Sequence, residues 1–141
     1  MPLVVKGARQ REYVGVTDWL EDAGIVKLCY CLNNLALPLK GNYDPNNYKI
    51  YMMYTGLLVS SLDEEAAKDL RENINFNTYK GALFENVVAE MLVKQEYNLY
   101  FYKKGAEGIE NNFFVRNAKH LIPIEVKAND REPKSLKKVV F

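Results

Sequence analysis

The sequence predicts an α+β fold, and three observations lead there. Helical and strand periodicities both occur, but they are not interleaved in regular strand–helix units. From residue 78 the order is one long helix and then three strands, with two tight connections. The 141 residues are 48% hydrophobic, enough for a real core in one domain or two small ones.

The first element is a helix over about residues 9–23. In "REYVGVTDWLEDAG", Val16, Trp19, Leu20 and Ala23 recur at i, i+3, i+4 and i+7, a stripe that should pack on the strands at 25–31 and 48–53. Gly24 follows it, where a left-handed C-terminal cap belongs. "IVKLCYCL" alternates and reads as a strand, and "LALPL" as a second one. "KGNYDPNNY" is turn chemistry, and "KIYMM" returns to strand. "TGLLVSSL" and "DEEAAKDLREN" read as helices, with Asp63, Glu64 and Glu65 placed to complement a helix dipole.

"KGALFENVVAEMLVKQ" is the strongest helix, with Phe84, Val87, Val88, Met91 and Leu92 as its predicted buried stripe. "NLYFYK", "NFFVR" and "LIPIEVK" read as strands, separated by turns at "KGAEG" and "NAKH". The character of the chain changes near residue 77, which suggests a lead of residues 1–77 and a core of residues 78–141. "SLKKVVF" starts a further helix or strand and stops, so a truncated domain is the expectation.

Charge and cysteine usage narrow the function classes. Nineteen basic residues oppose eighteen acidic ones, so an anion site would need local clustering. Lys127, Arg131, Lys134, Lys137 and Lys138 form such a cluster, and Lys6, Arg9 and Arg11 a smaller one; either suits phosphates or a plain solvated surface. Cys29 and Cys31 lack the partners for a zinc site or a disulfide framework. No run approaches the length of a membrane span and no signal core opens the chain, so a cytoplasmic location without a membrane partner is expected.

The stretch that carries chemistry is "LIPIEVKAND". Alternation sets Glu125 and Lys127 on one side, with Ile122, Ile124 and Val126 anchoring the other. A carboxylate there can bind Mg²⁺, the Val126 carbonyl can add an oxygen, and the ammonium can hold a phosphate oxygen or orient water. The plain alternative is an exposed ion pair worth well under about 1 kcal/mol. Glu85 lies seven residues before Leu92, bordering the helix stripe, and could be aimed at the same strand. His120 sits in a turn, and Tyr97, Tyr100, Phe101 and Tyr102 serve either as core or as stacking surfaces for bases.

With "DWLEDAGIV", "YKIYMMYTGLLVSSL", "KGALFENVVAEML" and "LIPIEVKA" in that order, the chain resembles the C-terminal domain of unknown function of a prokaryotic AAA-type ATPase family. That region is related to the PD-(D/E)xK nucleases. The resemblance spans about residues 9–141. It implies a winged-helix-like lead and a small restriction-endonuclease-like αβββ core. It also implies Glu85 as the helix carboxylate, Glu125 as metal ligand and Lys127 as catalytic lysine. The acid expected before "FFV" falls on Asn112, an amide that can ligate Mg²⁺ without bringing charge; Glu110, of like parity, could replace part of it. Tyr54 stands where an aspartate is usual.

The expectation is therefore a nucleic-acid-associating, nuclease-like domain with a weakened or lost Mg²⁺-dependent phosphodiesterase site formed by Glu85, Asn112 and Glu125. The alternative is a non-catalytic module that docks on an ATPase core or another protein. No G-x-x-x-x-G-K-[ST] occurs, so the chain offers no ATP site of that kind.

Overall fold

The computed structural model describes residues 15–103, 110–118 and 120–128. The basic N-terminal residues Lys6, Arg9 and Arg11, the turn at 104–108, and Arg131, Lys134, Lys137 and Lys138 with the segment 135–141 lie outside them.

The fold is α+β, with helices α1 (Val16–Asp22), α2 (Thr55–Ser60), α3 (Glu64–Arg71) and α4 (Phe76–Lys94). The strands are β1 (Val26–Leu32), β2 (Tyr43–Met52), β3 (Tyr100–Lys103), β4 (Glu110–Arg116) and β5 (Leu121–Ile124). They form one mixed sheet in the order β2-β1-β3-β4-β5, parallel only between β1 and β3. Strands from both sides of residue 78 thus share a single sheet.

Each face of the sheet carries its own core. On the α4 side Cys29, Cys31, Tyr51, Phe101, Phe113 and Val115 meet Ala89 and Leu92 of the helix. On the other side Leu32, Leu39, Tyr100 and Phe114 cluster, with Tyr30, Tyr43 and Leu121 against them. β1 is buried on both faces, as its near-continuous apolar run requires. The four aromatic residues at 97–102 all pack into these two clusters.

α1 ends as its sequence predicts. Gly24 adopts φ +70°, and the N–H groups of Gly24 and Ile25 bond back to Glu21 and Leu20 at 2.9 and 3.0 Å. This is the paired closure that a left-handed glycine permits. The packing of the helix differs from expectation. Trp19 is 65% exposed and Val16 45%; what ties α1 to the sheet is Glu21, which accepts from the Leu28 N–H at 3.1 Å and pairs with Lys27 at 2.7 Å. Periodicity finds an apolar stripe but not what the stripe meets. With its ring in solvent, truncating Trp19 removes little buried surface, so a core-sized loss does not apply.

"LALPL" is a loop rather than a strand. Asn42 Nδ2 donates to Asn34 O and Ala36 O at 3.0 and 2.9 Å, which folds the segment back on itself. Of the turn residues in "KGNYDPNNY", Gly41 and Asn42 do turn the chain ahead of β2, whereas Asp44, Pro45, Asn46 and Asn47 lie inside the strand. The register passes from Tyr30↔Tyr48 to Cys31↔Asp44, so Pro45, Asn46 and Asn47 bulge out of the ladder, and the Asp44 carboxylate accepts from the Asn46 N–H at 2.9 Å. β5 stops at Ile124, short of the predicted "LIPIEVK".

α4 begins four residues before the periodic stretch and turns differently from the predicted stripe. Val88 and Leu92 reach the core, but Phe84, Val87 and Met91 are exposed. Apolar and polar residues are both spread around the helix, so its period does not single out a face. The small Ala89, 1% exposed, lets the helix approach the sheet closely and sets that face. Among the described residues no helix is long and apolar enough to cross a membrane.

The start of α2 is held to α4 by the Glu90 carboxylate together with the Asn86 amide. Glu90 Oε2 accepts from both the N–H and the hydroxyl of Thr55 at 2.9 Å, while Oε1 pairs with Lys94 at 2.6 Å. The Lys94 ammonium and then the Thr55 donors pull the Glu90 pKa down to about 2 from 4.5. A depressed carboxyl contributes stability above its unfolded pKa and loses it as pH falls through the folded one. Glu90→Gln is therefore expected to flatten the decline in stability between pH 4.5 and about 2, measured by urea unfolding across that window.

Candidate functional site

Two polar clusters lie along the sheet, and β4 contributes to both. The first is built on Glu85. One turn before Ala89, it shares the sheet-facing side of α4. Its Oε1 accepts from the Tyr51 hydroxyl and lies 3.2 Å from Lys49 Nζ. Lys49 Nζ also pairs with Glu110, at the start of β4, and stands 5.0 Å over the Phe101 ring. Lys103 approaches the other Glu110 oxygen at 4.0 Å.

Strand alternation explains the arrangement. Lys49 lies opposite Cys29 in the ladder and shares its parity with Tyr51, so both point toward α4, whereas Ile50 between them is half exposed. Glu110 is registered with Lys103, two residues beyond Phe101 on the same side. Burial works against the charge on Lys49, but the bonds to Glu110 and Glu85 outweigh it and the pKa rises, so the ammonium is charged. Burial, and then the Glu85 hydrogen bond, raises the Tyr51 phenol far above its ordinary value. Burial likewise keeps the Cys29 thiol protonated, and Cys29 and Cys31 are both free. Neither Tyr51 nor Cys29 is poised as a nucleophile.

The second cluster follows β5. Glu125 and Lys127 form an ion pair, with the Glu125 side chain only 3% exposed and Lys127 46%. The second carboxylate oxygen, Oε2, is buried and has no hydrogen-bond partner among the described residues. Asn112 Oδ1 accepts from the Val126 N–H at 2.8 Å, which stitches β4 to the chain beyond the end of β5. Next to it Asn111 is 1% exposed, and its Nδ2 has no hydrogen-bond partner among the described residues.

The residues singled out by sequence are thus distributed. Glu85 joins Glu110 through Lys49, and Glu125 joins Lys127 beside the Asn112–Val126 bond. Among the described residues no hydrogen bond or ion pair connects Glu85 to Glu125. Because β5 ends before Glu125, alternation does not fix its direction; the contact with Lys127 shows that these two share a side.

The donors do not fit Mg²⁺ as they stand. Asn112 has spent an amide oxygen on a backbone N–H, Glu125 faces an ammonium, and among the described residues no three His, Cys, Asp or Glu groups converge on a metal position. His120 is exposed and closes its turn with Asn117: its carbonyl accepts from the Asn117 N–H at 3.1 Å, and its own N–H donates to Asn117 Oδ1 at 2.7 Å. Tyr54 is 59% exposed at the start of α2.

Sequence reasoning missed Lys49, Tyr51 and Asn86. The alternation of "KIYMM" held the signal for the first two, since either face of it could have been the inner one. Asn86, 3% exposed, pairs the outward N–H and C=O of Met52 on edge strand β2 at 2.9 and 3.1 Å.

No curated protein and no solved structure matches the chain. Residues 80–140, which run from within α4 through Glu125 and Lys127, match the family described as Domain of unknown function (DUF4143), a domain commonly found at the C-terminus of AAA-type ATPases.

Proposed function

We propose that this chain is a nucleic-acid-associating, nuclease-like domain of an AAA-type ATPase family protein, with a weakened Mg²⁺-dependent phosphodiesterase site. One observation carries the reading. After a helix and three strands, as in the PD-(D/E)xK arrangement it resembles, Glu125 is buried with one oxygen that has no hydrogen-bond partner among the described residues, and Lys127 reaches solvent beside it. A buried carboxylate oxygen without a donor is costly, and such a group is the kind retained for a ligand. The family match covers the same segment. Asn112 in place of an acid withholds the charge a divalent cation needs, which favours binding over cleavage.

The test is a gel shift with duplex DNA at two salt concentrations. Binding should weaken as salt rises, because phosphate contacts release counterions. Lys127→Ala should reduce the slope of log K against log salt by about 1. Binding that is absent, or indifferent to salt, would turn the reading to a docking module. The observation behind that second reading is the exposed apolar side chains of Val16 and Trp19 on α1 and of Phe84, Val87 and Met91 along α4.

A further inference from the structure

The Lys49 ammonium stands between two carboxylates from different elements, Glu85 on α4 and Glu110 on β4. We propose that Lys49 is a built-in counter-ion that takes the place of a divalent cation between Glu85 and Glu110 and closes this carboxylate pair to metal. The inference rests on the nuclease-like reading for the place of Glu85 in a metal site, and extends it by naming what holds that site shut.

The geometry is that of a cation position already filled. Two partly buried carboxylates on facing elements repel unless a positive charge lies between them. Lys49 supplies it from a third element, β2, with the Phe101 ring beneath the ammonium. Three of the four carboxylate oxygens are engaged. Glu85 Oε1 accepts from Lys49 and Tyr51, Glu110 Oε1 faces Lys49, and Glu110 Oε2 faces Lys103. Mg²⁺ and Mn²⁺ bind through one or two carboxylates and keep several waters, so this pair would suffice once the ammonium is removed.

The experiment uses the full chain and Mn²⁺ alone, with free Mn²⁺ counted by its paramagnetic resonance signal and melting followed in parallel. Lys49→Met keeps the apolar stem and removes the charge. It is expected to bind Mn²⁺ at least about tenfold more tightly than the unaltered chain, and to melt higher when Mn²⁺ is added. Adding Glu110→Gln should abolish both gains. Should the freed carboxylates unfold Lys49→Met, Mn²⁺ should restore its near-ultraviolet circular dichroism. The proposal is overturned by a folded Lys49→Met with unchanged Mn²⁺ affinity, by a gain that survives Glu110→Gln, or by an unfolded variant that Mn²⁺ does not restore. No DNA enters the test. A Mn²⁺ gain alongside failed DNA binding would remove the nuclease-like reading and leave the counter-ion in place, and the converse would do the opposite.

Discussion

Phe113→Ala is expected to lower the free energy of unfolding by about 3–5 kcal/mol, the range for removing a large buried aromatic side chain. Phe113 is 0% exposed and belongs to the α4-side core. Its ring sits 5.2 Å from that of Tyr51, and its backbone is registered with Ile124 of β5. It therefore joins β2, at one edge of the sheet, to β4 and β5 near the other. Neighbours on five strands cannot all move in to refill the space, so a cavity term adds to the lost transfer energy. Domains of this size are stable by about 5–15 kcal/mol, so the variant should unfold at much lower urea. Urea midpoints with an unchanged slope would confirm it, and a loss below about 1 kcal/mol would contradict the packing.

Asn86→Ala should cost about 2–3 kcal/mol through a different mechanism, the loss of buried hydrogen bonds with no water to replace them. The Met52 N–H and C=O face away from β1, since the neighbouring ladder bond runs from the Met53 N–H to Ile25 O. Asn86 supplies the acceptor and donor that a further strand would otherwise bring, and its amide reaches Thr55 Oγ1 at 3.1 Å. Truncation leaves those groups unpaired and uncouples α4 from β2 and the start of α2. Hydrogen exchange would report this locally, because the Met52 amide should lose protection before the amides of β1 do. Uniform loss across the sheet would instead make Asn86 a packing residue.

Much of the local structure was legible in the sequence because its causes are local. α4, α3 and the strands β1, β3 and β4 follow from residue period, and the αL closure after α1 follows from Gly24. The order of one helix and three strands from residue 78 holds in the structure. Glu125 and Lys127 were legible as a pair from their spacing, and the ion pair joins them although β5 ends at Ile124.

What only the tertiary structure decided depends on partners far away in the chain. Period could not choose the buried face of α4, since Phe84, Val87 and Met91 are as apolar as Val88 and Leu92; the close fit of Ala89 on the sheet chose it. Turn residues at 45–47 could not reveal that they bulge from a strand, because a bulge is defined by its neighbour, here β1. The same holds for the site. The partners of Glu85 are Lys49 and Tyr51, 36 and 34 residues earlier, brought to it by the β1–β2 hairpin beneath α4. A sequence displays which side chains carry charge, but which charges meet is set by sheet order and register, and those arise only when the strands pair.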